Sequence, residues 1–138
     1  KKKSRVKTLK TEMKTAVNRE SDLEIMTTDI IRQLGIPAHI KGYWYLRYAL
    51  ILCTENNEMI TSVTKTLYPA VAAKFKTAPS GVDSNIRRAI EIAWDNKNEE
   101  VLRQYFGKTV LTRTKKPTNA EFIASISEML RIRIKMQK

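Results

Sequence analysis

Cysteine, histidine and glycine are scarce in this chain, and each scarcity removes a class of function. Cys53 is the single cysteine and His39 the single histidine among 138 residues. One thiol cannot close an intrachain disulfide, which fits a reducing compartment and leads us to expect a cytoplasmic location. One His and one Cys cannot assemble a zinc site of the usual four-ligand kind, so no metal is expected. The four glycines form no phosphate-cradling loop. No paired carboxylates stand at motif spacing in an apolar setting. Little is left from which to build acid–base or nucleophilic catalysis, so neither an enzyme nor a bound cofactor is expected. No stretch approaches the ~20 continuous apolar residues of a bilayer span. The basic N-terminus is followed by no apolar segment, so it does not read as a secretory signal. No membrane partner is expected.

Acids are also in short supply. Lys and Arg number 26 against 14 Asp and Glu, a net charge of +12, while 42% of residues are hydrophobic. The apolar fraction suits one folded domain with a real core. The charge points to a polyanion, nucleic acid or an anionic surface, as partner. Its distribution is uneven. Residues 1–20 carry eight basic and two acidic side chains, and residues 131–138 carry four basic and none acidic. The body between is almost neutral. Residues 1–20 therefore read as a basic flexible linker and residues 21–138 as the folded domain. Within the body, Arg103, Lys108, Arg113, Lys115 and Lys116 form a basic patch with no acid from Arg103 to Ala120. It begins in a helix and crosses a loop, a suitable place to grip a phosphate backbone.

The pattern throughout is helical. Ser21 with Glu24 has the spacing of a capping box. Leu23, Ile30, Ile31 and Leu34 follow on one face, and Gly35 ends that helix. A second helix, about Ile40 to Thr54, is apolar most of the way round and reads as the central one. Its Tyr43, Trp44 and Tyr45 read as core rather than as a stacking platform, and Cys53 as a buried thiol. His39 precedes it in a loop. A third helix is expected over Glu58–Leu67. A short one, Glu99–Phe106, ends at Gly107, and the TVLT run (109–112) has the look of an extended segment. Thr118 caps the last helix with Glu121 as box partner, and Phe122, Ile126, Met129 and Ile134 line it.

The stretch from Val71 to Trp94 has the periodicity of a helix-turn-helix. Val71, Ala72 and Phe75 make an apolar stripe after Pro69, which suits a first helical turn. Residues 76–79 interrupt the period. Ser80 is then the expected cap, with Asp83 its capping-box partner. Val82, Ile86, Ile90, Ala93 and Trp94 mark one face of a longer helix. Ala78, Pro79, Ser80, Asp83, Ser84 and Arg87 stay on the outer face, the one such a motif inserts into a major groove. Arg87 also stands four residues from Asp83, where the two can pair along the helix. Arg88 projects to the flank, toward phosphate, and Asn85 lies close to the packed face. The expected DNA contacts are Ser80, Asp83, Ser84, Arg87 and Arg88 on the helix, with Lys108, Arg113, Lys115 and Lys116 from the basic loop.

Four runs carry a more specific likeness: PAHIKGYWYLRYAL (37–50), SVTKTLYPAVAAKF (62–75), IRRAIEIAW (86–94) and KPTNAEFIA (116–124). In this order they resemble the C-terminal effector domain of the stage-zero sporulation response regulator of spore-forming Firmicutes. The resemblance implies a six-helix, all-α fold that binds double-stranded DNA at a TGTCGAA-type box. It further implies contact with RNA polymerase sigma factors and homodimers on tandem boxes, at the bacterial nucleoid. Residues 1–20 would correspond to the hinge that follows a phospho-acceptor receiver. That receiver is absent here, and a start at Lys1 without Met reads as a fragment of a longer regulator. One departure bears on readout. The family's Ser-Arg-Val-Glu-Arg-Ala-Ile-Arg-His-Ala is here Ser80, Gly81, Val82, Asp83, Ser84, Asn85, Ile86, Arg87, Arg88, Ala89. Two basic residues are replaced by Gly81 and Ser84. Two functions follow: a sequence-specific transcription regulator, or a protein-interaction module that has lost base readout and binds a sigma factor or related regulator.

Overall fold

The computed structural model describes residues 22–107 and 116–136. The fold is all-α. Helices α1 (22–33), α2 (Lys41–Glu55), α3 (Tyr68–Phe75), α4 (Pro79–Asp95), α5 (Glu99–Phe106) and α6 (Asn119–Met136) surround one continuous core. The linker expected over 1–20, the Ser21 cap, the TVLT segment, and Lys108, Arg113 and Lys115 lie outside the described residues.

Each boundary has a local cause. α1 buries Leu23, Thr27, Ile30, Ile31 and Leu34 on one face. Its end is a Schellman turn: the Ile36 amide donates to the Ile31 carbonyl at 3.3 Å and the Gly35 amide to that of Arg32 at 2.9 Å. Gly35 holds the left-handed φ of +78° that this turn needs. α2 is the central helix, packed against α3, α4 and α6. It buries Tyr43, Tyr45, Leu46, Ala49, Leu50 and Cys53. Trp44 differs from the sequence expectation, being 46% exposed, with its indole N–H donating to the Ala38 carbonyl at 2.9 Å. α5 is capped by Asn98, whose Oδ1 accepts from the Val101 amide, and Glu99 and Glu100 face the positive helix end. The box expected at α6 is present. The Thr118 amide donates to Glu121 Oε1 and the Glu121 amide to Thr118 Oγ1, both at 3.1 Å.

The expected helix over Glu58–Leu67 is not a regular α-helix. The chain winds as a 3-10 segment over Asn57–Ser62 and then as a π-helical turn over Val63–Leu67. Its composition explains the difference. Ile60, Thr61, Val63, Thr64 and Thr66 are all β-branched, and hydroxyls compete for backbone groups. The Thr61 hydroxyl donates to the Glu58 carbonyl at 2.7 Å. Only Leu67 in this segment is buried.

Candidate nucleic-acid interface

α3, the turn at residues 76–78 and α4 form the helix-turn-helix. α3 ends in another Schellman-type bond, from the Thr77 amide to the Ala72 carbonyl at 2.9 Å. Here Lys76 rather than glycine takes the left-handed conformation, at φ 54°. Pro79 then sets the start of α4. A proline forces the preceding residue into extended backbone and suits the first helical turn. Accordingly Ala78, at φ −91° and ψ 149°, is the N-cap, with no side-chain cap bond. This corrects the capping box expected from Ser80 and Asp83. Ser80 lies inside the first turn, and the carboxylate of Asp83 is directed elsewhere.

Val82, Ile86, Ala89, Ile90 and Ala93 bury the inner face of α4. Trp94 is only half-buried, meeting Phe106 edge-on at 5.4 Å between ring centroids, so it borders the core rather than filling it. Its position explains why: it lies a quarter-turn off the stripe formed by Ile86, Ile90 and Ala93. The closest approach to α2 comes at a residue that sequence reasoning passed over. A Cβ built on Gly42 would stand 2.2 Å from the backbone oxygen of Asn85 and 3.0 Å from the Ala89 Cβ. The bare backbone of α2 therefore sets the depth at which α4 is seated. The glycine at the second position of α2 was the available signal. A glycine inside a helix usually marks such a contact.

The outer face of α4 is a stripe of exposed residues: Ser80, Ser84, Arg87, Arg88 and Glu91. Asn85 leaves this face, its amide donating to the Gly81 carbonyl at 2.7 Å. Asp83 is half-buried at the edge of the stripe. Its Oδ2 accepts from Arg87 Nη2 at 2.6 Å, the pairing along the helix anticipated from their spacing. Its Oδ1 accepts from Asn119 Nδ2 at 3.1 Å. Asn119 starts α6, and the same amide reaches the Asp83 carbonyl at 3.0 Å and the Tyr68 hydroxyl at 2.9 Å. Burial raises the Tyr68 hydroxyl pKa above its ordinary value, and the nearby Asp83 charge adds to the effect. An open cleft lies beside this junction, lined by Thr64, Tyr68, Asp83, Arg87, Thr118 and Asn119.

Lys116 is brought to the same face. Its ammonium lies 2.5 Å from Glu91 Oε1, one turn beyond Arg87 and Arg88. The hydrogen bond and charge of Lys116 hold the Glu91 carboxyl below its ordinary pKa. Lys116 thus joins the helix stripe, and its charge offsets that of Glu91. Of the sequence-derived contacts, Ser80, Ser84, Arg87 and Arg88 share the exposed face, Asp83 holds Arg87, and Lys116 covers Glu91.

Among the described residues no group of His, Cys, Asp and Glu could hold a metal ion, and no helix is long and apolar enough to cross a membrane. An α-helical domain that seats the second helix of a helix-turn-helix on its core and leaves that helix's other face exposed has the architecture of helix-turn-helix DNA-binding domains. The family model of the sporulation initiation factor Spo0A C-terminal domain matches residues 27–130. The chain belongs to that family, whose members are DNA-binding effector domains of sporulation response regulators and not enzymes.

Proposed function

We propose that this chain reads double-stranded DNA sequence-specifically, by laying α4 in the major groove, and so regulates transcription in the bacterial cytoplasm. The observation that carries this reading is the division of α4 into two faces. Its apolar face is fully buried, while Arg87 and Arg88 stand exposed on the other. In this reading Arg87 meets a base edge and Arg88 a phosphate. Arginine pairs bidentately with guanine O6 and N7, which is worth roughly 1–3 kcal/mol of discrimination. Lys108, Arg113 and Lys115 in the basic loop would add phosphate contacts that strengthen binding at every sequence. Homodimers on tandem boxes and contact with an RNA polymerase sigma factor belong to the same reading.

Selection of sites from random duplex DNA at physiological salt tests it. An enriched motif is expected, together with a fall of log affinity on log salt of about −0.9 per phosphate contacted, for roughly four to seven contacts per domain. A slope near zero would exclude DNA as the partner.

A second reading has its own support. Gly81 and Ser84 offer no long donor to the groove, and Arg87 is already paired to Asp83. A domain with weakened base readout could act as a protein-interaction module toward a sigma factor or related regulator. Flat enrichment in the same selection, with binding to such a partner retained, would favour it.

A further inference from the structure

Asn119 lies outside the recognition helix and carries no charge, yet its side-chain amide makes two hydrogen bonds to that helix. Its amide nitrogen has two hydrogens and three acceptors within 3.1 Å: the Tyr68 hydroxyl, the Asp83 carbonyl and Asp83 Oδ1. One hydrogen is therefore shared between two acceptors. These partners belong to α3 and α4, so one side chain at the start of α6 joins both helices of the motif. The Asp83 carboxylate is thereby occupied on both sides, by Asn119 at Oδ1 and by Arg87 at Oδ2.

A free arginine on a helix surface samples many rotamers, and a base contact must fix them all. Here the guanidinium rests on a carboxylate whose other oxygen accepts from Asn119. The bond to Asp83 uses one of five N–H donors. The other donors remain for a partner, and the Arg87 side chain keeps half its surface open to solvent. A planar fork held at one corner is suited to a bidentate acceptor pair at a fixed place, which in the major groove is the O6 and N7 edge of guanine.

We propose that Asn119 is a positioning residue for base readout. By fixing the Asp83 carboxylate, it orients Arg87 toward a single guanine in the bound DNA. The proposal rests on the sequence-specific reading above and adds to it a residue that touches no DNA.

The test is site selection with the full chain and with the Arg87→Ala, Asn119→Ala and Asn119→Asp variants, each with a thermal melt. Arg87→Ala identifies the base position that Arg87 reads. Asn119→Ala is expected to lower guanine preference at that same position by about 5- to 20-fold. Preference at the other positions and the salt slope should be unchanged. Asn119→Asp sets a carboxylate against Asp83 while adding a negative charge that is favourable at the start of α6. It should lose the guanine preference at least as fully, and it carries the test if the alanine variant does not fold. In the Arg87→Ala background, Asn119→Ala should change nothing further at that position. A merely structural role would instead weaken every position together, in step with a lowered melting temperature, and that outcome overturns the proposal. So does a guanine preference that survives both Asn119 variants. A flat selection by the unaltered chain removes the sequence-specific reading itself, and this proposal with it.

Discussion

A cationic side chain at a DNA-facing surface need not be there to touch phosphate. Lys116 closes on Glu91 at 2.5 Å, and Glu91 shares the exposed stripe of Arg87 and Arg88. An unshielded carboxylate there would repel the DNA backbone. If Lys116 acts by covering it, Lys116→Ala should weaken DNA binding by about 2- to 5-fold, the scale of one exposed charge pair. Adding Glu91→Gln should then recover most of the loss. A phosphate-gripping lysine would leave the double variant as weak as the single one, and anisotropy titrations at one salt concentration distinguish the two. Cys53 shows a different residue-level effect. Burial pushes its thiol pKa up to about 11, with the Arg131 charge opposing. Between the ordinary value of 9.0 and about 11 the unfolded thiol loses its proton while the folded one keeps it. The unfolded chain then binds fewer protons, so this group makes stability fall as pH rises through that window. At pH 8 the native thiol should resist an aromatic disulfide reagent and react fully in denaturant. Rapid reaction of the folded domain would show Cys53 to be accessible.

Among the elements, those with strong period and strong end signals were legible in the sequence. α1 with Gly35, α5 with Gly107 and α6 with its Thr118–Glu121 box follow from local chemistry alone. The Asn57–Leu67 segment was not legible, because its apolar spacing is helical while its β-branched and hydroxyl side chains favour other windings. The α4 cap was misread because Ser80 and Asp83 have box spacing, yet Pro79 moves the helix start one residue ahead of Ser80. The outer face of α4 was readable from its period. The Asn119 junction was not, since it joins residues 36 and 51 positions apart through side chains. The Gly42 crossing is equally non-local, and it makes a prediction. A methyl at Gly42 meets the Asn85 backbone oxygen, which cannot rotate away, so α2 and α4 must separate. Gly42→Ala would gain about 1 kcal/mol of helix propensity on an open surface. Here overpacking of about 1–3 kcal/mol or more opposes it. The melting temperature should fall by several degrees, and DNA affinity should fall with it. A raised melting temperature would mean the two helices do not cross there.

Across the whole molecule, α4 is held along its length by parts that never meet its outer face. At its start Asn119 ties it to α3 and α6. At its middle it lies on the bare backbone of Gly42. At its end the Asn96 amide donates to the carbonyls of Leu34 and Gly35, at 3.3 and 3.2 Å, binding α4 to the close of α1. Stability is thus set on one side of α4 and the proposed readout lies on the other, so residues of the outer face should be exchangeable without loss of fold. Gly81 and Ser84 are the sharpest case, because the family carries basic residues there. Ser84 is exposed, and a Cβ on Gly81 would meet only the Thr77 hydroxyl oxygen, at 3.3 Å. A side chain can yield a few tenths of an ångström there, and replacing a helical glycine returns roughly 0.5–1 kcal/mol. The Gly81→Arg/Ser84→Arg double variant should therefore melt no lower than the parent. It should also gain a preference for a TGTCGAA-type box over random DNA of equal length, by about tenfold or more if each arginine finds a guanine. The unaltered chain should favour that box little, or prefer another. Competition of both proteins for the same two duplexes decides the matter: a strong parental preference for the family box would assign the readout to Arg87 and Arg88 alone.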